Sequence, residues 1–209
     1  MTTTALSETL TARVAEAAGE WVRLPILAGV RDGSLDPRIF RHYLEQDYLY
    51  LRYYARIYAR LAASAASHEE LEHFLTLATS TLRIEIDHHI RAAEPFGCDF
   101  DAAVPSRELE DYIAYYDELA GDRAATLVSM LPCTYGYGVA LARIRDGDLG
   151  PYRPWVEMYT SGAYADIMAR HLAMVDAADI DADRALAIIE RGLALEHAFW
   201  NQAPAEVEA

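Results

Sequence analysis

From Arg38 to Ala66 the chain runs through 29 residues without a glycine or a proline, and its apolar residues recur at steps of three and four. That periodicity belongs to a helix of about seven or eight turns, a length that few fold classes other than all-helical ones accommodate. The flanking segments agree. Ser7 or Thr9 is a plausible cap for a first helix, and Gly29 to Pro37 reads as a turn-rich break in which Asp36-Pro37 caps the long helix. Further helices are expected over 68–93, ended by Pro95-Phe96-Gly97, over 106–119, over 122–144, over 155–175 with Gly162 as a divider, and over 181–201. Pro132 should kink or loosen the helix over 122–144. No alternating strand pattern, repeat or linker interrupts them, so the expectation is a single all-α domain over residues 1–209 with a disordered tail at 203–209.

A formal charge of −15 argues against a nucleic-acid partner, because phosphate binding depends on lysine and arginine. No run approaches the length needed to cross a bilayer, and Met1 to Leu10 lacks the basic and apolar regions of a secretory signal. The two cysteines, Cys98 and Cys133, are too few for a disulfide framework and lack C-x-x-C spacing, which suits a reducing cytoplasm. Most of the 14 tyrosines cluster at 43–58, 112–116 and 135–137, a distribution that scattered surface placement does not explain.

Asp47, Tyr50, Tyr54 and Tyr58 follow at steps of three, four and four, so they share one helix face with Leu51. An aspartate there is either a structural acceptor for tyrosine hydroxyls or the anchor of a ligand's amine or ring nitrogen. Cys133 and Tyr137 are likewise one turn apart. Free cysteine usually packs as a small hydrophobe, whereas a catalytic thiol needs a base or positive surroundings, and no histidine lies a turn away. Glu196 and Trp200 form a third such pair; a carboxylate against an indole would titrate high and could serve as acid and base, unless Glu196 is a plain surface residue. Glu70-x-x-His73 and Glu85-x-x-His88 have the spacing of helical di-iron sites. They lie 15 residues, roughly 22 Å, apart along one helix and cannot share a centre.

Taken together these segments resemble the thiaminase II (TenA) family, whose members have a haem-oxygenase-like helical bundle. The likeness covers about residues 15–202. It rests on Phe40-x-x-Tyr43-Leu44-x-Gln46-Asp47-x-x-Tyr50-Leu51, Glu85-x-x-x-His89, Leu131-Pro132-Cys133-x-x-x-Tyr137, Trp155-x-x-x-Tyr159 and Glu196-x-x-Phe199-Trp200, in that order.

The resemblance implies Cys133 as nucleophile, Glu196 as acid/base and Asp47 as the carboxylate holding an aminopyrimidine ring. Tyr50, Tyr112, Tyr137 and Tyr159 would be pocket aromatics and hydroxyl donors. It implies no metal and no cofactor, and a homotetramer. Some relatives lack the cysteine, so this chain resembles the cysteine-bearing branch. The implied chemistry is substitution at the methylene of a 4-amino-2-methylpyrimidine, giving hydroxymethylpyrimidine from thiamine, from 4-amino-5-aminomethyl-2-methylpyrimidine or from its formyl derivative, with thiamine salvage as the first expectation. Gly136 and Gly138, beside Tyr137, are expected to leave room that reshapes the pocket. Two other functions compete: a metal-dependent oxidase on the same fold, drawing on Glu85, His88 or His89, Glu196, Asp166 or His171, and a pyrimidine-binding protein without turnover.

Overall fold

The computed structural model describes residues 5–204, with Ala163 described for its backbone only. Residues 205–209 of the tail expected to be disordered lie outside that range, and Ala203 and Pro204 take no regular structure. Every regular element among the described residues is helical. The helices are α1 (Leu6–Trp21), α2 (Pro25–Asp32), α3 (Pro37–Ala63), α4 (His68–Ser80), α5 (Ile86–Ala93), α6 (Arg107–Leu119), α7 (Arg123–Ser129), α8 (Leu131–Ile144), α9 (Arg153–Tyr159), α10 (Gly162–Asp176) and α11 (Ala182–Trp200). They fall into two compact units. One joins the described part of Met1–Leu35 to Ala124–Asn201, the other joins Asp36–Arg123 to the described part of Gln202–Ala209.

In the first unit α8 is central, with α1, α2, α9, α10 and α11 against it. Leu10, Val14, Ala18 and Trp21 are the buried stripe of α1, the spacing of an amphipathic helix. Its start differs from expectation. Ser7 is inside the helix rather than at its cap, and both its amide and its hydroxyl donate to Asp176 at the end of α10, at 2.8 and 2.7 Å. The break before α3 is also shorter than the glycines suggest, because α2 continues to Asp32. Gly29 sits within α2 where Leu35 returns against it; a Cβ there would lie 2.9 Å from the Leu35 backbone. Gly33 makes the turn itself, at φ 74°.

The helical run Arg123–Ile144, counted across the turn at Met130, is long and apolar enough by length and composition to span a membrane. Thr134, Tyr135, Gly136 and Gly138 lie within it, so the sequence shows no continuous apolar run there. Of its most apolar stretch, 72% is buried inside the protein, as in a core helix.

In the second unit α3 is central, packed by α4, α5 and α6. Asp36 caps it by accepting from the Arg38 amide at 2.8 Å, with Pro37 in the first turn. The helix expected over 68–93 is present but carries a π-type turn at Thr81–Glu85, where the Ile86 amide donates to Thr81, five residues back. Ser106 caps α6 and Gln46 clamps the loop before it, its amide donating to Val104 and its oxygen accepting from the Ser106 amide.

Candidate functional site

Cys133 lies in the first turn of α8. Pro132 has no amide to donate back along the chain, so α7 ends at Ser129 and helical structure resumes at Leu131. Leu131 and Pro132 are buried, but Cys133 is only half-buried. That exposure separates it from the fully packed thiol that most free cysteines provide.

One turn on, Tyr137 is buried in an aromatic wall. Its ring stacks on Trp200 at 4.6 Å with planes 30° apart, and meets Tyr159 edge-on at 5.1 Å. Trp155 meets both Tyr159 and Trp200 edge-on. The Tyr137 hydroxyl is buried with no hydrogen-bond partner among the described residues. Burial first, and the charge of Glu196 second, push its pKa well above the usual phenol value. The phenol is therefore a neutral donor without an acceptor, an arrangement that costs about 1–3 kcal/mol. Glu196 is itself 1% exposed, so it is no surface residue. The first unit thus brings Tyr137 and Tyr159 to one wall, with Glu196 near enough for its charge to act on Tyr137 and with Cys133 one turn before Tyr137 on α8.

The space expected beside Tyr137 is partly filled. A Cβ on Gly136 would lie 2.7 Å from the Trp21 ring, so this glycine admits α1 rather than a ligand. Gly138 borders a groove of about 210 Å³ with Thr134, Tyr159 and Tyr164, and neither Cys133 nor Glu196 lines it.

In the second unit Asp47 is 3% exposed on α3. His89 from α5 is completely buried, with Nε2 2.8 Å from the Leu44 carbonyl and Nδ1 3.4 Å from Asp47 Oδ2. The tyrosines gather beside them along α3 and α6. Tyr50 and Tyr112 rings lie 5.3 Å apart, Tyr112 stacks on Tyr116 at 5.1 Å, and the Tyr50 and Tyr116 hydroxyls share a hydrogen bond of 2.8 Å. The sequence marked Asp47, Tyr50 and Tyr112 but missed His89 as the neighbour of Asp47. Its signal was present in the Glu85-x-x-x-His89 spacing of the family resemblance, which did not point to Asp47.

The metal spacings resolve differently. Glu70 pairs with Arg123 and accepts from the Ala66 amide, which accounts for its carboxylate. Nε2 of His171 bonds the Leu127 carbonyl at 2.8 Å, and Asp166 is exposed. Among the described residues no three His, Cys, Asp or Glu side chains are grouped to hold a metal ion.

An all-α chain with these helices has the haem-oxygenase-like helical fold. Solved structures superpose closely: a TenA homologue from P. horikoshii OT3 (TM-score 0.84, 21% identity, 94% of this chain and 97% of that one) and one from Pyrococcus furiosus (TM-score 0.83, 16% identity, 94% and 98%). The chain belongs to the TENA/THI-4/PQQC family, whose model matches residues 11–205. It is similar to the aminopyrimidine aminohydrolase of Halalkalibacterium halodurans, with 30% identity over 161 residues, covering 73% of this chain and 72% of that protein. It is also similar to the aminopyrimidine aminohydrolase of Helicobacter pylori, at 22% identity over 88% of this chain and 92% of that protein. The hydroxymethylpyrimidine/phosphomethylpyrimidine kinase THI21 of Saccharomyces cerevisiae is 32% identical over 63% of this chain, which spans only 26% of that protein. Relatives in this family thus cover more than one thiamine-pathway activity.

Proposed function

We propose that this protein is an aminopyrimidine aminohydrolase of the thiaminase II kind, releasing hydroxymethylpyrimidine for thiamine salvage. The observation that supports it most is the half-buried Cys133 one turn from a buried phenol donor on which the charge of Glu196 acts. Such a set supplies a nucleophile and a route for protons in an apolar wall, as ring addition needs. The similarity to two aminopyrimidine aminohydrolases points the same way.

In the proposed sequence the Cys133 thiolate bonds to an electron-poor ring carbon while a ring nitrogen takes up a proton. The bond from the exocyclic methylene to its amine or thiazolium then breaks, and the leaving group departs with the electron pair, an amine taking up a proton as it goes. Water adds to the methylene and gives up a proton, and the ring nitrogen releases its proton as the carbon–sulfur bond breaks to restore the thiolate. Glu196 moves the protons; Tyr137 and Tyr159 donate to or pack against the ring. Asp47 holds the aminopyrimidine edge, with Tyr50 and Tyr112 beside it. No metal or cofactor takes part in this sequence.

The assembly would be a cytoplasmic homotetramer. Leu75, Leu82 and Ile84, exposed at 50, 51 and 66% within ten residues of chain, support self-association, which would take them out of water. Light scattering checks the assembly.

Incubation with thiamine, with the aminomethylpyrimidine and with its formyl derivative, followed by chromatography for hydroxymethylpyrimidine, tests the reaction. Turnover of at least one is expected. Binding of the pyrimidine with no turnover of any would overturn the enzymatic reading in favour of a binding protein.

A further inference from the structure

The contact between His89 and Asp47 fixes a proton count. A main-chain carbonyl only accepts, so the 2.8 Å contact from Nε2 to Leu44 places a hydrogen on Nε2. That leaves Nδ1, 3.4 Å from Asp47 Oδ2, either bare or protonated. A bare Nδ1 facing a carboxylate oxygen would set two lone pairs against each other inside the protein, where no solvent relieves them. One proton between the two atoms removes the conflict. It sits on nitrogen as an imidazolium–carboxylate pair or on oxygen as a neutral acid beside a neutral imidazole.

Burial decides between these. His89 is 0% exposed and the Asp47 side chain 4%, so two separated charges would be costly. Desolvation, partly offset by the Leu44 bond and reinforced by neighbouring His88, pulls the His89 pKa down to about 4. Phe100 covers the imidazole, with ring centres 6.0 Å apart.

We propose that His89 is a positioning residue for Asp47, and that in the free protein the pair holds a single proton on Asp47 Oδ2, so that Asp47 meets its ligand as a neutral acid. Resting on the aminopyrimidine reading, this sharpens the substrate class. A neutral acid suits an uncharged aminopyrimidine, whose amine donates to one oxygen and whose ring nitrogen accepts a proton. It gives no preference to a ring that arrives already protonated.

Infrared spectroscopy and histidine nitrogen NMR on the whole, ligand-free protein test the proton count without relying on turnover. At pH 7 a protonated-carboxyl band is expected, lost in Asp47→Asn and lost also in His89→Asn, whose amide can donate to an ionised Asp47. His89 should show Nε2 protonated and Nδ1 bare. A band unchanged in Asp47→Asn, or an Nδ1-protonated His89 at pH 7, overturns the proposal even if the enzyme works. With the aminomethylpyrimidine, His89→Asn should raise KM at least tenfold more than it lowers kcat, at unchanged melting temperature. Should wild type turn over no pyrimidine while the spectra come out as expected, the functional reading fails and the proton count stands.

Discussion

Tyr137 and Trp200 stack face to face at 4.6 Å, joining α8 to α11, with Glu196 one helical turn before Trp200. The hydroxyl end of that ring has no hydrogen-bond partner among the described residues. Stability and activity should therefore part company at this residue. Tyr137→Phe keeps the stack and removes an unsatisfied buried hydroxyl, so stability should hold or rise, by up to about 1 kcal/mol. Turnover of the aminopyrimidine should fall by roughly tenfold or more, the scale of a lost donor. Calorimetry beside steady-state kinetics reads both; equal activity would remove Tyr137 from the reaction.

The two cysteines should react differently. Cys98 is pushed up to about 12, chiefly by burial and then by Glu45, so it stays a thiol at neutral pH. Cys133 on α8 is proposed to be the nucleophile. Iodoacetamide with peptide mass spectrometry should modify Cys133 first, and hydroxymethylpyrimidine should protect it. Cys133→Ala should abolish turnover at unchanged helicity, and a fully active alanine variant would end the thiol mechanism.

Gly136 is fixed by what it touches. An added methyl would press on the ring of Trp21, itself 1% exposed, and would lie 3.2 Å from Val14. Gly136→Ala should cost about 1–3 kcal/mol in urea unfolding, as overpacked cores do. Gly138→Ala, whose nearest neighbour is the edge of Tyr164 at 3.2 Å, should cost less because that ring is half-buried.

His89 also gives stability a pH dependence. Desolvation lowers its pKa from 6.5 to about 4 on folding, so alone it would remove stability as pH falls from 6.5 toward 4. The proton proposed on Asp47 offsets this, because over that window the folded pair holds one proton and the unfolded histidine holds one. Above pH 6.5 the unfolded chain releases its proton while the folded pair keeps one, so stability should fall as pH rises. Unfolding curves across pH 4–8 should show wild type flat below 6.5 and losing stability above it, against a flat His89→Asn. A wild-type loss below pH 6.5 instead would mean that the folded pair holds no proton.

Local grammar carried much of this fold into the sequence. Asp36-Pro37, Ser106, Asp181 and the punctuation at Pro132 and Gly97 each act within a few residues, and each sits where expected. Helix faces were equally legible, so Asp47 with Tyr50 and Cys133 with Tyr137 could be paired by spacing alone. What failed depends on chain that returns from far away. Gly29 looked like a turn because Leu35 packing on it leaves no mark in the sequence. Trp200 could be matched to Glu196 but not to Tyr137, which is 63 positions earlier. His89 could be matched to Glu85 by spacing but not to Asp47 on α3.

The π turn at Thr81–Glu85 sets the phase of everything after it. At 3.6 residues per turn, one residue more or fewer there would rotate α5 by roughly 100° about its axis. His89 would leave the face that meets Leu44 and Asp47, and a neighbour, His88 or Ile90, would swing toward it. The wide turn thus works as a rotational key, making the chain between α4 and α5 intolerant of single-residue insertions or deletions that an exposed loop would absorb.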